Sequence, residues 1–203
     1  MENKLVFIMA QHLANRLNRY TGKEGLAYKK MALGMEVLII NVTKLIVIYL
    51  LAAVLWVVVQ TAILHMAYIA IKRCSFGLHA LNSTVCTVVS CCLFVITPWA
   101  LQGVGINNIA VTAIFIPVIV CLLMYAPADT KARPLIGPAV RAKLKRKAVV
   151  SGIILMVAAL LIPYNDVKLL LALGAAFQCV AILPLTYKIL KRSERNYETY
   201  EIV

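Results

Sequence analysis

The chain has 203 residues, of which 63% are hydrophobic and only 14% charged, with a formal net charge of +13 at pH 7. A soluble domain carries roughly a quarter charged residues and shorter apolar runs. The continuous Leu/Ile/Val/Ala runs lack the alternation of a membrane barrel, so composition leaves an all-α, polytopic helical bundle in a membrane. The basic excess is first explained by cytoplasmic loops, where Lys and Arg collect, with acidic lipid or an acidic partner as an added attraction; no nucleic acid is expected. One domain over 1–203 is expected, with distinct segments at 1–30, 72–86 and 126–147.

Residues 3 to 20 put Leu5, Ile8, Met9, Leu13, Leu17 and Tyr20 at three- and four-residue spacing, with Asn15, Arg16, Asn18 and Arg19 mostly elsewhere on the wheel. Such an amphipathic helix is too polar to span. It lies on the cytoplasmic leaflet or packs as an ordinary helix on the rest of the protein, and Thr21 to Gly25 breaks it. The first long apolar run begins only near Met35, which reads against a cleavable signal peptide.

From Met35 to Ile71 the chain is apolar except for Glu36, Asn41, Lys44, Gln60 and His65. That is too long for one span and short for two. Lys29, Lys30, Lys72 and Arg73 flank it, so both ends should be cytoplasmic, and two short or tilted helices meeting near Ala52-Ala53 are expected. Val85 to Trp99 follows, ended by Thr97-Pro98. The uncharged turn Gly103 to Asn108 suits the outer face, and Ile109 to Tyr125 returns. Ala126 to Lys147 then carries Lys131, Arg133, Arg141, Lys143, Lys145, Arg146 and Lys147 against one acid, Asp129. Prolines 127, 134 and 138 should make its first half irregular. Ala148 to Ile162 and Leu169 to Leu185 form a last hairpin around Pro163 to Asp166, and Lys188, Lys191, Arg192 and Arg195 keep the C-terminus inside. The sum is about six hydrophobic segments, four full spans plus a shorter first pair, with both termini cytoplasmic.

Chemistry concentrates in Arg73 to Cys86, a polar interruption that holds His79 and Cys86. A thiolate nucleophile needs a base or a helix N-terminus to raise its ionised fraction. Asn82 and Ser83 are good N-cap residues, and a helix starting there would put Cys86 in its first turn. On one straight helix the two Cα atoms would lie ~10 Å apart, with His79 pointing away from Cys86. Contact therefore needs a loop at Gly77 that folds His79 back over the helix start. Spacing alone favours two side chains packed at a membrane edge; the place beside a cytoplasmic loop brings the catalytic reading level with it.

Arg73, Gly77, His79-Ala80 and Cys86, followed by Ser90 one turn on, resemble the signature of the accessory gene regulator B (AgrB) family. Tyr125-Ala126-Pro127-Ala128-Asp129-Thr130 with Pro134, and Leu33 to Leu38 leading to Lys44 to Val47, resemble it too. The patches fall in family order between about residues 30 and 190; Phe76-Gly77 stands where Gly-Gly is common, and Cys74 is an added thiol. The resemblance implies a membrane cysteine endopeptidase of quorum sensing at the cytoplasmic face of the cell membrane. Its partner would be an AgrD-like precursor peptide with an amphipathic leader and an acidic C-terminal portion. By motif, Cys86 would be the nucleophile and His79 the general base, with 72–86 the catalytic loop; Lys131 and Arg133 in the basic loop are candidates for holding the acidic substrate electrostatically, or equally are cations of a solvated positive-inside loop. The acyl-enzyme would be attacked by an internal thiol or hydroxyl to give a thiolactone or lactone.

Asp129 could orient His79 or simply be a turn residue, and Ser90 could hydrogen-bond near Cys86 or its own backbone. His65 could serve as a ligand or relay, while Cys91, Cys92, Cys121 and Cys179 read as packing residues with no disulfide framework. With no phosphate loop or metal-ligand cluster in the sequence, no cofactor is expected. A homodimer is compatible with a small bundle, although no dimer motif appears. The competing function is a small peptide or ion transporter built on Lys44, Gln60 and His65, which no inverted repeat supports.

Overall fold

The structure, a computed structural model, describes residues 4–78, 83–130, 135–191 and 196–198. Among these residues every regular element is helical, and Phe76 and Ala128 form an isolated parallel bridge. Helices α1 (Lys4–Thr21) and α2 (Gly25–Val54) form a hairpin whose turn uses Gly22 and Gly25, both at φ +56°. Their contact runs through small side chains, since Ala10 and Ala14 are buried while Ile8, Met9, Leu13, Leu17 and Tyr20 stay exposed. The large apolar residues of α1 thus remain on its outer surface. The Tyr28 hydroxyl donates to the Asn15 side chain across the hairpin.

At 30 residues, α2 is about 45 Å long, more than the ~30 Å hydrocarbon core. It stops at Val54, and α3 (Val58–Ser75) begins after Leu55–Val57, three residues beyond the join expected at Ala52-Ala53. The stop has no glycine. Trp56 takes the left-handed position at φ +58°, its N–H reaches the Ala53 carbonyl, and the Val57 N–H reaches that of Ala52. This is the Schellman arrangement, which glycine usually provides.

Helix α4 (Ser83–Cys91) runs through a π turn at Cys92–Ile96 into α5 (Thr97–Ala100). Thr97-Pro98 was expected to end this segment; instead the wide turn carries the helix past Pro98. The Thr97 N–H and hydroxyl both donate to the Cys92 carbonyl, so the helix continues past the proline to Ala100. Helices α6 (Asn108–Tyr125), α7 (Pro138–Leu161), α8 (Asn165–Ile182) and α9 (Pro184–Ile189) complete the chain. Asn107 caps α6 by accepting from the Ala110 N–H at 2.9 Å, the side-chain cap that an exposed N–H needs.

The core lies among α3, α6, α7 and α8, around Ile71, Phe115, Leu122, Ala172, Ala175 and Ile182. A second cluster of Ile48, Val57, Leu64, Phe94, Val95 and Leu170 joins α2 and the π turn to it. Helices α2, α6 and α8 are long and apolar enough to cross a membrane, and residues 84–100 form a shorter apolar stretch. With so many large apolar side chains on its surface, this is a membrane protein. The cysteine reading needs one correction: Cys121 and Cys179 are joined as a disulfide between α6 and α8. The pairing spans 58 positions and follows from two helices lying side by side, which spacing in the sequence does not reveal.

Candidate active site

The segment that carries the Cys/His stretch is not one helix. Helix α3 ends at Ser75, and the next helix begins at Ser83. Phe76 makes the exit at φ +56° and Gly77 continues it at φ +107°, two successive residues in a region that side-chain-bearing residues avoid. Cys86 is half-buried and is the fourth residue of α4, in the turn whose N–H groups have no helical partner. His79 and Asn82, both expected beside it, lie outside the described residues. Ser90 follows Cys86 one turn along α4, and Arg73 is exposed in the last turn of α3, where a cation suits the helix dipole.

What holds the exit of α3 comes from two distant parts of the chain. The Gly77 N–H donates to the Ala128 carbonyl at 3.0 Å, and the Ala128 N–H donates to the Ser75 carbonyl at 2.9 Å. Residues 75–77 and the Tyr125–Thr130 motif therefore form one unit. On the other side the Leu78 N–H donates to the Ala181 carbonyl at 3.2 Å. The Gln178 amide donates to the Ser75 hydroxyl at 2.8 Å and to the Phe76 carbonyl at 2.6 Å. Gln178 is fully buried and its Oε1 has no partner among the described residues. One turn earlier, Gly174 brings α8 against α3: a Cβ there would lie 2.6 Å from the Leu64 carbonyl oxygen and 2.7 Å from the Ala67 Cβ. Close approach through small residues is how membrane helices pack, and it is what lets Gln178 and Ala181 reach the turn.

Asp129 is buried, and each of its carboxylate oxygens accepts a hydrogen bond. One carboxylate oxygen accepts the Asn196 backbone N–H at 3.0 Å and its side-chain amide at 3.3 Å, and the other accepts the Tyr197 N–H at 2.9 Å. The Tyr187 hydroxyl donates to the Asp129 carbonyl. A cavity of about 310 Å³ opens beside it, lined by Tyr125, Pro127, Arg141, Lys145, Tyr187 and Tyr197. The Arg141 guanidinium lies 3.9 Å from the centre of the Tyr197 ring, a cation–π contact. Lys131 and Arg133, expected to bind substrate, lie outside the described residues. The second half of the basic stretch is the start of α7, where Arg141, Lys143, Lys145, Arg146 and Lys147 all fall.

The structure thus brings Gly77 and the 125–130 motif together and sets Cys86 on the helix that follows. It places His65 elsewhere, in an aromatic cluster with its ring 4.6 Å from Phe94 and its Nδ1 3.5 Å from the Tyr49 hydroxyl. His65 lines neither the cavity beside Asp129 nor the groove between α1 and α2. No metal-binding cluster occurs among the described residues. Sequence reasoning missed Gln178, Tyr187 and the 196–198 segment. Gln178 did carry a signal, a lone amide in an apolar helix; a backbone N–H given to a distant carboxylate carries none.

Comparison with known proteins agrees on the family. The family model described as accessory gene regulator B matches residues 8–182. The chain is 44% identical to an AgrB-like protein of Listeria innocua over 86% of this chain and 85% of that protein. It is 38% identical to an AgrB-like protein of Clostridium acetobutylicum over 95% and 92% of the two chains. Accessory gene regulator protein B of Staphylococcus carnosus is 34% identical over 86% of this chain and 90% of its own length. No solved structure matches. The chain belongs to the accessory gene regulator B family.

Proposed function

We propose that this member of the accessory gene regulator B family is a membrane cysteine endopeptidase that matures a quorum-sensing precursor peptide. The Cys86 thiolate attacks the scissile carbonyl; His79 takes the thiol proton and returns it to the departing amine. The product is an acyl thioester on Cys86 and a released C-terminal peptide. An internal thiol or hydroxyl of the retained part then attacks the thioester, its proton passes to the base, and Cys86 leaves as thiolate as the ring closes. The thioester favours ring closure over hydrolysis where water is scarce, as at a bilayer edge.

The observation that carries this reading is the bonding of Ser75 and Gly77 to Ala128. It supports a single site made from the segment before Cys86 and the 125–130 motif, two patches that a scaffold or a transporter has no reason to join. The charge pattern supports a cytoplasmic site. The end of the bundle that holds it carries Lys72, Arg73 and the cations of α7, whereas the opposite loops at 101–107 and 162–166 carry only Asp166. Co-expression with the cognate precursor should yield a shortened peptide with the intact chain and none with Cys86→Ala or His79→Ala. Undiminished cleavage by Cys86→Ala overturns the reading.

A further inference from the structure

We propose that the cavity beside Asp129 is a peptide-docking site, and that the chain's own residues 196–198 hold one side of it until a substrate peptide displaces them. Asp129 is 4% exposed, and its described hydrogen-bond donors are the Asn196 and Tyr197 backbone N–H groups and the Asn196 amide. A buried carboxylate needs donors to replace those of water, so the site must always hold a stretch of peptide backbone or its equivalent. Backbone N–H groups are offered by any chain. Two of the three donors are backbone N–H groups, so part of the grip on the tail is independent of sequence, and another peptide can take its place.

The rest of the wall fits the same ligand class. Arg141 stacks on the Tyr197 ring, and Lys145 lies on the same side of the cavity. By composition the last ten residues are net acidic: they hold Glu194, Glu198 and Glu201, three of the eight acids in the chain, against the single base Arg195. The ligand class is thus an extended peptide with acidic and aromatic side chains, and the remaining 310 Å³ beside the tail is in the range of a small binding pocket. Asp129 directly follows Ala128, which is bonded to Ser75 and Gly77. A peptide leaving or entering the cavity therefore bears on the backbone that leads to Cys86.

The inference deepens the processing reading, since the displacing peptide would be the precursor, so its test is one that needs no cleavage. The full chain carrying Cys86→Ala is purified in detergent, and a synthetic peptide of residues 196–203, acetylated so that Asn196 keeps an amide N–H, fluorescent at its C-terminus and free of Lys and Arg, is added in trans. Asn196→Pro with Tyr197→Pro in the protein removes both backbone donors of the resident tail. This variant should bind the added peptide at least tenfold more tightly than the unsubstituted chain, and Asp129→Ala in the same background should abolish the gain. Equal binding by the substituted and unsubstituted chains, or binding indifferent to Asp129, overturns the proposal. A second measurement guards against a misfolded variant: saturating free peptide should speed tryptic release of the tail from the unsubstituted chain, and an unchanged rate counts against displacement. Cleavage that fails while peptide binding behaves as expected removes only the processing reading.

Discussion

Gly77 has two reasons to be glycine. Its φ of +107° is strained for any side chain, and a Cβ would lie 2.9 Å from the Ala181 carbonyl oxygen, a backbone atom that cannot swing aside. Gly77→Ala should therefore cost about 1–3 kcal/mol locally and lower precursor cleavage at least tenfold in protein that still reaches the membrane, measured as product per unit of blotted enzyme. Phe76 shares the left-handed region at φ +56°, where a glycine would be at ease. Phe76→Gly should keep cleavage near the unsubstituted level, whereas Phe76→Ile, β-branched, should lose most of it. Gln178 acts through the same turn. Gln178→Leu removes the amide's bonds to the Ser75 hydroxyl and the Phe76 carbonyl, about 0.5–1.5 kcal/mol each. Gln178→Glu should be worse, because a carboxylate would face that carbonyl; the order of thermal midpoints in detergent checks it.

Among the elements, the α3–α8 seam is the one on which the site depends. Gly174 faces backbone at 2.6 Å, whereas Gly152 on α7 faces the tip of the Leu122 side chain at 2.9 Å. The same substitution should therefore have unlike effects. Gly174→Ala must separate two helices and should lower both the thermal midpoint and the cleavage rate, as overpacking by about 1–3 kcal/mol does. Gly152→Ala asks only that one flexible side chain turn, and should be mild. These seams were not legible in the sequence, because a small residue in an apolar helix does not say which backbone it approaches. The helices themselves were legible, since long apolar runs leave little choice of structure. Their ends were legible only where a residue type marks them. Asn107 caps α6 as its kind does, but α2 stops at a tryptophan in the glycine position, and the π turn hides the proline that should have ended α5.

At the scale of the whole molecule, the chain sorts its charge by end. The motif at 125–130 and the break at 76–82 were readable as patterns, but their meeting was not: it rests on backbone bonds between residues some fifty positions apart. The charge, by contrast, was readable from composition, and the fold concentrates it. Arg141, Lys143, Lys145, Arg146 and Lys147 all lie in the first three turns of α7, where the helix dipole is also positive. The end of the bundle beside Asp129 therefore carries a field that attracts anions and costs the helix a little stability. If the precursor presents an acidic C-terminal portion, that field should govern capture rather than the chemical step. Purified enzyme in nanodiscs should show KM rising at least threefold as ionic strength goes from about 0.05 to about 0.5 M, because screening shortens from over 10 Å to a few ångströms, with kcat little changed. Lys143, Arg146 and Lys147 are exposed and stand outside the cavity wall, so changing all three to Gln should raise KM at low salt and flatten its salt dependence. A KM indifferent to salt, or a variant whose loss falls on kcat, would mean that these cations serve orientation in the membrane and not substrate capture.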